Sequence, residues 1–196
     1  MTSAVRSTTR YRTLDLVTIA LLGVAFGVVF WGWGKLYDLI DLGAAVGFKP
    51  AAGLLAGTWL IAGVVGGLIV RRPGAAFATE LVAAMVSMFV LGGTAWGGTV
   101  LLSGIVQGLG AELVFAVFLY RRFDVLTAML AGALSAAFAT FYEWKYYWVD
   151  WDLPWRLAYL GFFVTSGVVI AGLGGWLLVR SLARAGALDS FPAGRP

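Results

Sequence analysis

Two glutamates, Glu80 in FATELVAA and Glu112 in QGLGAELVFA, stand in stretches that carry no other charge. An ionised carboxylate inside an apolar helix costs several kcal/mol unless it is paired, protonated or set in a polar cavity, so an acid in such a place is a functional candidate by default. Three kinds of chemistry suit it: a counter-ion for a bound cation, a proton carrier, or a hydrogen-bonding group that holds a neighbouring helix. Polar residues gather near both glutamates. Gln107 precedes Glu112 in its helix, Ser87 follows Glu80 two turns on, and Glu143 closes a third apolar run.

The helical spacing says which way these groups face. Gly104, Gly108 and Glu112 recur every four residues and share one face, with Gln107 beside them. Glu80, Ala83, Ala84 and Ser87 form a second small, polar face, and Gly132, Ala136, Ala139 and Glu143 a third. Small residues let helices approach closely, so all three faces point into a bundle. At 1.5 Å per residue, counted from the nearest arginine pair, Glu112 lies roughly 13 Å and Glu80 about 12 Å into the membrane, at matched depth. The plainer reading of both acids is packing glue between helices.

Between these two helices lies LGGTAWGGT, residues 91–99, whose four glycines and lack of charge let it dip into the outer half of a membrane if protein shields it. It would set Trp96 above the carboxylates. Trp31 and Trp144 lie at the ends of neighbouring helices. A pocket with carboxylates at its base, amide and hydroxyl groups on its walls and indole rings at its mouth suits a flat, cationic heteroaromatic ligand, to which cation–π attraction adds about 0.5–2 kcal/mol.

The elements that must hold this pocket are membrane helices. Hydrophobic residues make up 61% of the chain and charged residues 12%, at a mean hydropathy of +0.89, outside the soluble range. Six stretches can each cross a hydrocarbon core of roughly 30 Å, which takes about 20 helical residues: 14–34, 51–70, 75–92, 98–120, 124–144 and 158–180. The expected fold is an all-α integral membrane protein, one bundle of six transmembrane helices spanning 1–196 with a C-terminal tail at 181–196.

Arginines set the orientation. Arg6, Arg10, Arg12, Arg71, Arg72, Arg121, Arg122, Arg180, Arg184 and Arg195 fall on one side of this topology, against Lys35, Lys49, Lys145 and Arg156 on the other. That excess places both termini in the cytoplasm. The net charge of +4 is thus a product of topology, and its scatter over short turns and tails forms no nucleic-acid groove. The other side carries WGWGKLYDLIDLG (31–43) and FYEWKYYWVDWDLPWR (141–156). An aromatic belt explains many of these rings, yet the second stretch is dense enough to make an acidic aromatic lid.

Several classes drop out. Without cysteine or histidine there is no thiolate or imidazole metal site, disulfide or Ser-His-Asp triad. No phosphate-binding GxxxxGK[ST] loop is present, so any ATP-driven step needs a partner. An acid–base enzyme using Glu80 and Glu112 would lack an accompanying nucleophile or metal ligand set. No cofactor or metal is expected. An oligomeric proton-coupled carrier for a small cationic solute is the alternative function. For a partner, helix 1 offers a stripe of Ala20, Gly23 and Gly27 with GxxxG spacing, which would equally serve internal packing.

Residues 78–124, ATELVAAMVSMFVLGGTAWGGTVLLSGIVQGLGAELVFAVFLYRRFD, resemble the central signature of the YkoE-type S components of energy-coupling factor (ECF) transporters. The likeness rests on the glutamate of the third helix, the Gly-Trp-Gly turn, the GxxQGLGAELVFA segment and the Arg-Arg that follows. It implies a non-enzymatic substrate-capture subunit in a bacterial cytoplasmic membrane, binding thiamine or its hydroxymethylpyrimidine precursor from outside. It further implies a transmembrane coupling protein (EcfT-like) and two cytoplasmic ATPases as partners. On this resemblance Glu80 or Glu112 meets a charged or amino group of the ligand while Trp96, Trp31 or Trp144 stacks on it. Gln107, Ser87 and Glu143 complete the set, and the helix 1 stripe would meet the coupling protein.

Overall fold

A computed structural model describes residues 10–89 and 97–194, and among these no strand occurs. The first helix, α1 (Thr13–Ile40), ends at Asp41, whose left-handed backbone hands the chain to a short α2 (Leu42–Ala45) capped by the Asp41 side chain. The second crossing is irregular. It runs through a 3-10 turn at Lys49–Ala52, a single α-turn, α3 (Gly53–Ala56), a second 3-10 turn at Gly57–Leu60, and then α4 (Ile61–Val70). The remaining crossings are α5 (Ala75–Phe89), α6 (Thr99–Val117), α7 (Val125–Tyr146), and a last helix made of α8 (Leu153–Ser166), a π-helical stretch Gly167–Gly174 and α9 (Gly175–Arg184).

Five of these segments are long and apolar enough to cross a membrane, and α5 is a shorter apolar helix. The six expected helices are all there. The outer two differ most: α1 continues to residue 40, past the expected 34, and the last helix covers 153–184 against the expected 158–180.

The centre of the bundle is α4, whose residues 62–70 are buried on every side, as befits a helix apolar all round. Its preceding half winds irregularly because it packs against α8. Ser166 Oγ accepts from the Gly57 amide at 3.0 Å and donates to the Leu54 carbonyl at 2.6 Å. Two indoles tie α1 to the same stretch, Trp33 Nε1 donating to Leu55 O at 3.0 Å and Trp59 Nε1 to Phe30 O at 3.3 Å. Since α4 starts afresh after a 3-10 turn, its first amides lack helical partners. That vacancy bears on the site below.

The helix 1 stripe is spent inside the protein. Gly23 and Gly27 are buried against α5, where an added Cβ would collide with the side chains of Val82 and Val86, and only Ala20 is exposed. The spacing that suggested a docking face marks instead a close packing of α1 on α5. No partner surface of Ala20, Gly23 and Gly27 therefore exists as one stripe.

The arginine-bearing turns and both ends of the described chain meet at one end of the bundle. Asp15, fully buried, pairs with Arg12 at 2.8 Å and Arg72 at 2.7 Å. Tyr11 donates to Pro73 O at 2.6 Å, Arg12 to Ser190 O at 3.5 Å, and Arg71 to Pro192 O at 3.2 Å.

Candidate functional site

At the other end of the bundle a cavity opens, with about 850 Å³ of space including the open solvent at its mouth. Glu80 of α5, with Ser103 and Gln107 of α6, lies at its inner end; Glu143, Tyr147 and Trp148 enter from the end of α7. Trp31 and Tyr37 of α1, Trp59 and Tyr159 supply further rings, and Lys35 and Asp38 stand near the C-terminal end of α1.

Glu80 sits five residues into α5 and is 1% exposed. Its Oε2 accepts the Gly63 amide at 2.6 Å, filling the place left open at the start of α4. Its Oε1 has no partner among the described residues, although the atom is buried. A buried acceptor left unsatisfied costs about 1–3 kcal/mol, more when charged. Trp31 Nε1 is a second buried polar atom on this cavity without a partner. An acceptor and a donor thus stand uncommitted in one cavity.

Several other polar groups are already engaged. Gln107 Nε2 donates to Ser103 Oγ at 2.8 Å, and Ser87 donates to the Ala84 carbonyl at 2.9 Å. Glu143 Oε2 accepts from Tyr159 Oη at 2.6 Å and from Trp148 Nε1 at 3.4 Å. Trp148 stacks on Trp151 with ring centres 4.3 Å apart, and both rings meet Tyr159 edge-on, so Glu143 is fixed by a wall of aromatics.

The sequence-derived residues divide as follows. Glu80, Ser87, Gln107, Glu143 and Trp31 come together on the cavity. Trp96 lies outside the described residues. Trp144 is half-buried away from the cavity, its ring edge-on to Phe141 at 5.0 Å. Glu112 is also elsewhere. It accepts the amides of Gly74, Ala76 and Phe77 at 2.6, 3.0 and 3.2 Å and the hydroxyl of Tyr120 at 2.6 Å. It caps the N-terminus of α5, where a helix dipole favours negative charge. The matched depth of the two acids does not hold, because α6 ends at Val117 and the residues up to Tyr120 form a turn. Counting helical rise back from Arg121 therefore set Glu112 too deep. Its inward face was read correctly, since Gly104 and Gly108 pack on Ala84 and Phe77 of α5.

Tyr37, Trp59, Tyr147, Trp148 and Tyr159 are cavity rings that the sequence reading did not single out. For one of them a signal existed. Tyr147 follows Glu143 by four residues and so shares its face, and Trp148 is the next residue, just past the end of α7, whereas Trp144, the immediate neighbour of Glu143, points elsewhere.

A polytopic bundle with an aromatic-walled cavity at one end fits a membrane transport component that takes up a small solute. Residues 14–138 match the family described as "ABC-type cobalt transport system, permease component", and the chain belongs to that family. It is 29% identical over 189 residues to the "Putative HMP/thiamine permease protein YkoE" of Bacillus subtilis (strain 168), covering 94% of this chain and 91% of that protein. A solved structure described as "Crystal structure of an S-component of ECF transporter" is similar at a TM-score of 0.87 and 29% identity, covering 94% of this chain and 92% of that one. The bundle therefore has the fold of an ECF S component, as the resemblance of residues 78–124 implied.

Proposed function

We propose that this chain is the substrate-binding S component of an ECF-type importer, and that its cavity captures thiamine or the hydroxymethylpyrimidine precursor of thiamine. The observation that carries the reading is the uncommitted Oε1 of Glu80, buried in an aromatic-walled cavity. An aminopyrimidine offers the N–H donor that this oxygen lacks and a ring nitrogen that an indole N–H such as that of Trp31 can meet. The cation of thiamine adds attraction to the carboxylates and rings. Glu80, Trp31, Gln107, Ser87 and Glu143 are the binding residues on this reading, with Trp59, Tyr147 and Trp148 as further ring partners.

The word cobalt in the family's description does not fit the donors here. The chain has neither histidine nor cysteine, and among the described residues no three acidic side chains come together as a metal-binding group. Organic cargo suits the cavity better than a transition-metal ion, which favours imidazole, thiolate or several carboxylates.

The gathered arginines at the end opposite the cavity support an outward-facing mouth and cytoplasmic termini. An EcfT-like coupling protein and two ATPases would then supply the energy, since this chain lacks a phosphate-binding loop.

Intrinsic fluorescence of the purified protein tests the reading, because Trp31, Trp59 and Trp148 line the cavity. Saturable quenching by thiamine or hydroxymethylpyrimidine, and none by an unrelated vitamin, is the expected result. Absence of any response to either pyrimidine would overturn it.

A further inference from the structure

A second pocket lies at the arginine end, in a cleft among α4, α9 and the C-terminal segment, with about 490 Å³ of space including its open side. Its lining is apolar, with Leu68, Phe123, Trp176 and Val179 among the residues, except for two guanidinium groups, those of Arg71 and Arg180. Arg71 follows α4 directly, in a left-handed backbone conformation (φ 55°) that turns its side chain back over the helix end. Its Nε donates to Leu68 O at 3.1 Å, its Nη1 to Pro192 O at 3.2 Å, and the guanidinium lies 4.8 Å from the centre of the Phe123 ring.

Both partners of Arg71 are backbone carbonyls, and no carboxylate among the described residues pairs with it or with Arg180. That contrasts with Arg12 and Arg72, which share the buried Asp15 a short way off. Burial pulls the Arg71 pKa below the ordinary arginine value, with no nearby acid to offset it. Arg180 lies 5.0 Å from the Trp176 ring centre and is otherwise exposed. Two positive charges without a carboxylate partner among the described residues, one half-buried, thus flank one apolar cleft.

We propose that this cleft is a binding site for an anionic phospholipid, its phosphodiester held between Arg71 and Arg180 and an acyl chain laid along the apolar lining. Guanidinium groups match phosphate oxygens with paired donors, and basic pockets between membrane helices on the arginine-rich side take up acidic headgroups. The apolar floor favours a lipid over a free anion. Leu177 and Leu178 of α9 are exposed, which keeps this helix in contact with the hydrocarbon from which such a lipid would come. The site is independent of the ligand assigned to the other cavity.

Native mass spectrometry of the full chain released from detergent, titrated with phosphatidylglycerol and separately with phosphatidylcholine, tests the proposal. Phosphatidylcholine, whose choline cation offsets the same phosphodiester, should bind the unaltered chain more weakly than phosphatidylglycerol; Arg180→Gln should weaken phosphatidylglycerol binding about fivefold and the Arg71→Gln, Arg180→Gln pair further. Should Arg71→Gln loosen the C-terminal segment and impair folding, Arg180→Gln alone decides, because its side chain touches only Trp176 among the contacts described. Arg184→Gln, on the same helix but outside the cleft, should bind as the unaltered chain does. Unchanged binding by Arg180→Gln, an equal loss in Arg184→Gln, or displacement of the lipid by inorganic phosphate would each overturn the proposal.

Discussion

Glu80 and Gly63 are joined by a 2.6 Å hydrogen bond that does two things. It closes the open start of α4 at the point where the second crossing changes from a 3-10 turn to an α-helix, and it holds the carboxylate so that its other oxygen stays free. Folding therefore uses one half of this side chain and leaves the second half for a ligand. On the proposed reading the same residue is both the packing group and the binding group, which the sequence alone presented as competing readings.

Glu80→Gln keeps an oxygen for the Gly63 amide but removes the charge and places an N–H where an acceptor is needed. Losing a hydrogen bond to a charged group costs about 1.5–3 kcal/mol, so affinity for thiamine should fall about 10- to 100-fold with the melting temperature nearly unchanged. Glu80→Ala, which gives up the helix cap as well, should lower both. Undiminished affinity in Glu80→Gln would remove this residue from the site.

Gly23→Leu and Gly27→Leu should destabilise the protein, since each side chain would have to displace Val82 or Val86 of α5. Overpacking of this kind costs about 1–3 kcal/mol and more where backbone must move. Thermal melting in detergent is the check. A variant that melts normally and binds ligand yet fails in transport would return the stripe to a docking role.

How far the sequence could be read depended on the range of the interactions involved. The six crossings and the inward faces of α5, α6 and α7 follow from local composition and from a period near 3.6, so they were legible. Depth was less so, because a turn at Phe118–Tyr120 looks as apolar as the helix before it. The role of Glu112 depends on the amides of Gly74, Ala76 and Phe77, more than thirty residues away. Only tertiary structure brings those donors to it. The ring positions divide in the same way: Tyr147 could be found from Glu143 by helical spacing, while Trp148, past the end of α7, and Trp59 and Tyr159, brought in by the packing of the broken second crossing against α8, could not.

Glu112→Gln should leave ligand affinity as it is and lower stability. The carboxylate accepts three backbone amides at a helix start and one tyrosine hydroxyl, and an amide cannot accept through both of its ends. Loss of an N-terminal cap costs about 1–2 kcal/mol. Melting curves measured beside a fluorescence titration separate the two effects; a fall in affinity at unchanged stability would place Glu112 at the ligand after all.

Glu143 is the second acid on the cavity, and its partners predict a smaller contribution than that of Glu80. Its Oε2 is already engaged by two side-chain donors, Tyr159 and Trp148, so a ligand gains less from this carboxylate than from that of Glu80, which a single backbone amide holds. Glu143→Gln retains an acceptor for those two donors while removing a charge, and should reduce thiamine affinity only a few-fold, about 1 kcal/mol. Comparing the two ligands sharpens the test. A carboxylate acting as counter-ion loses more with the cationic thiamine than with the uncharged hydroxymethylpyrimidine, whereas one that reads the pyrimidine edge loses equally with both. Glu80→Gln should show the equal pattern and Glu143→Gln the charge-dependent one. The reverse assignment would mean that the pyrimidine lies toward the end of α7 and the cation at the inner end, against α5.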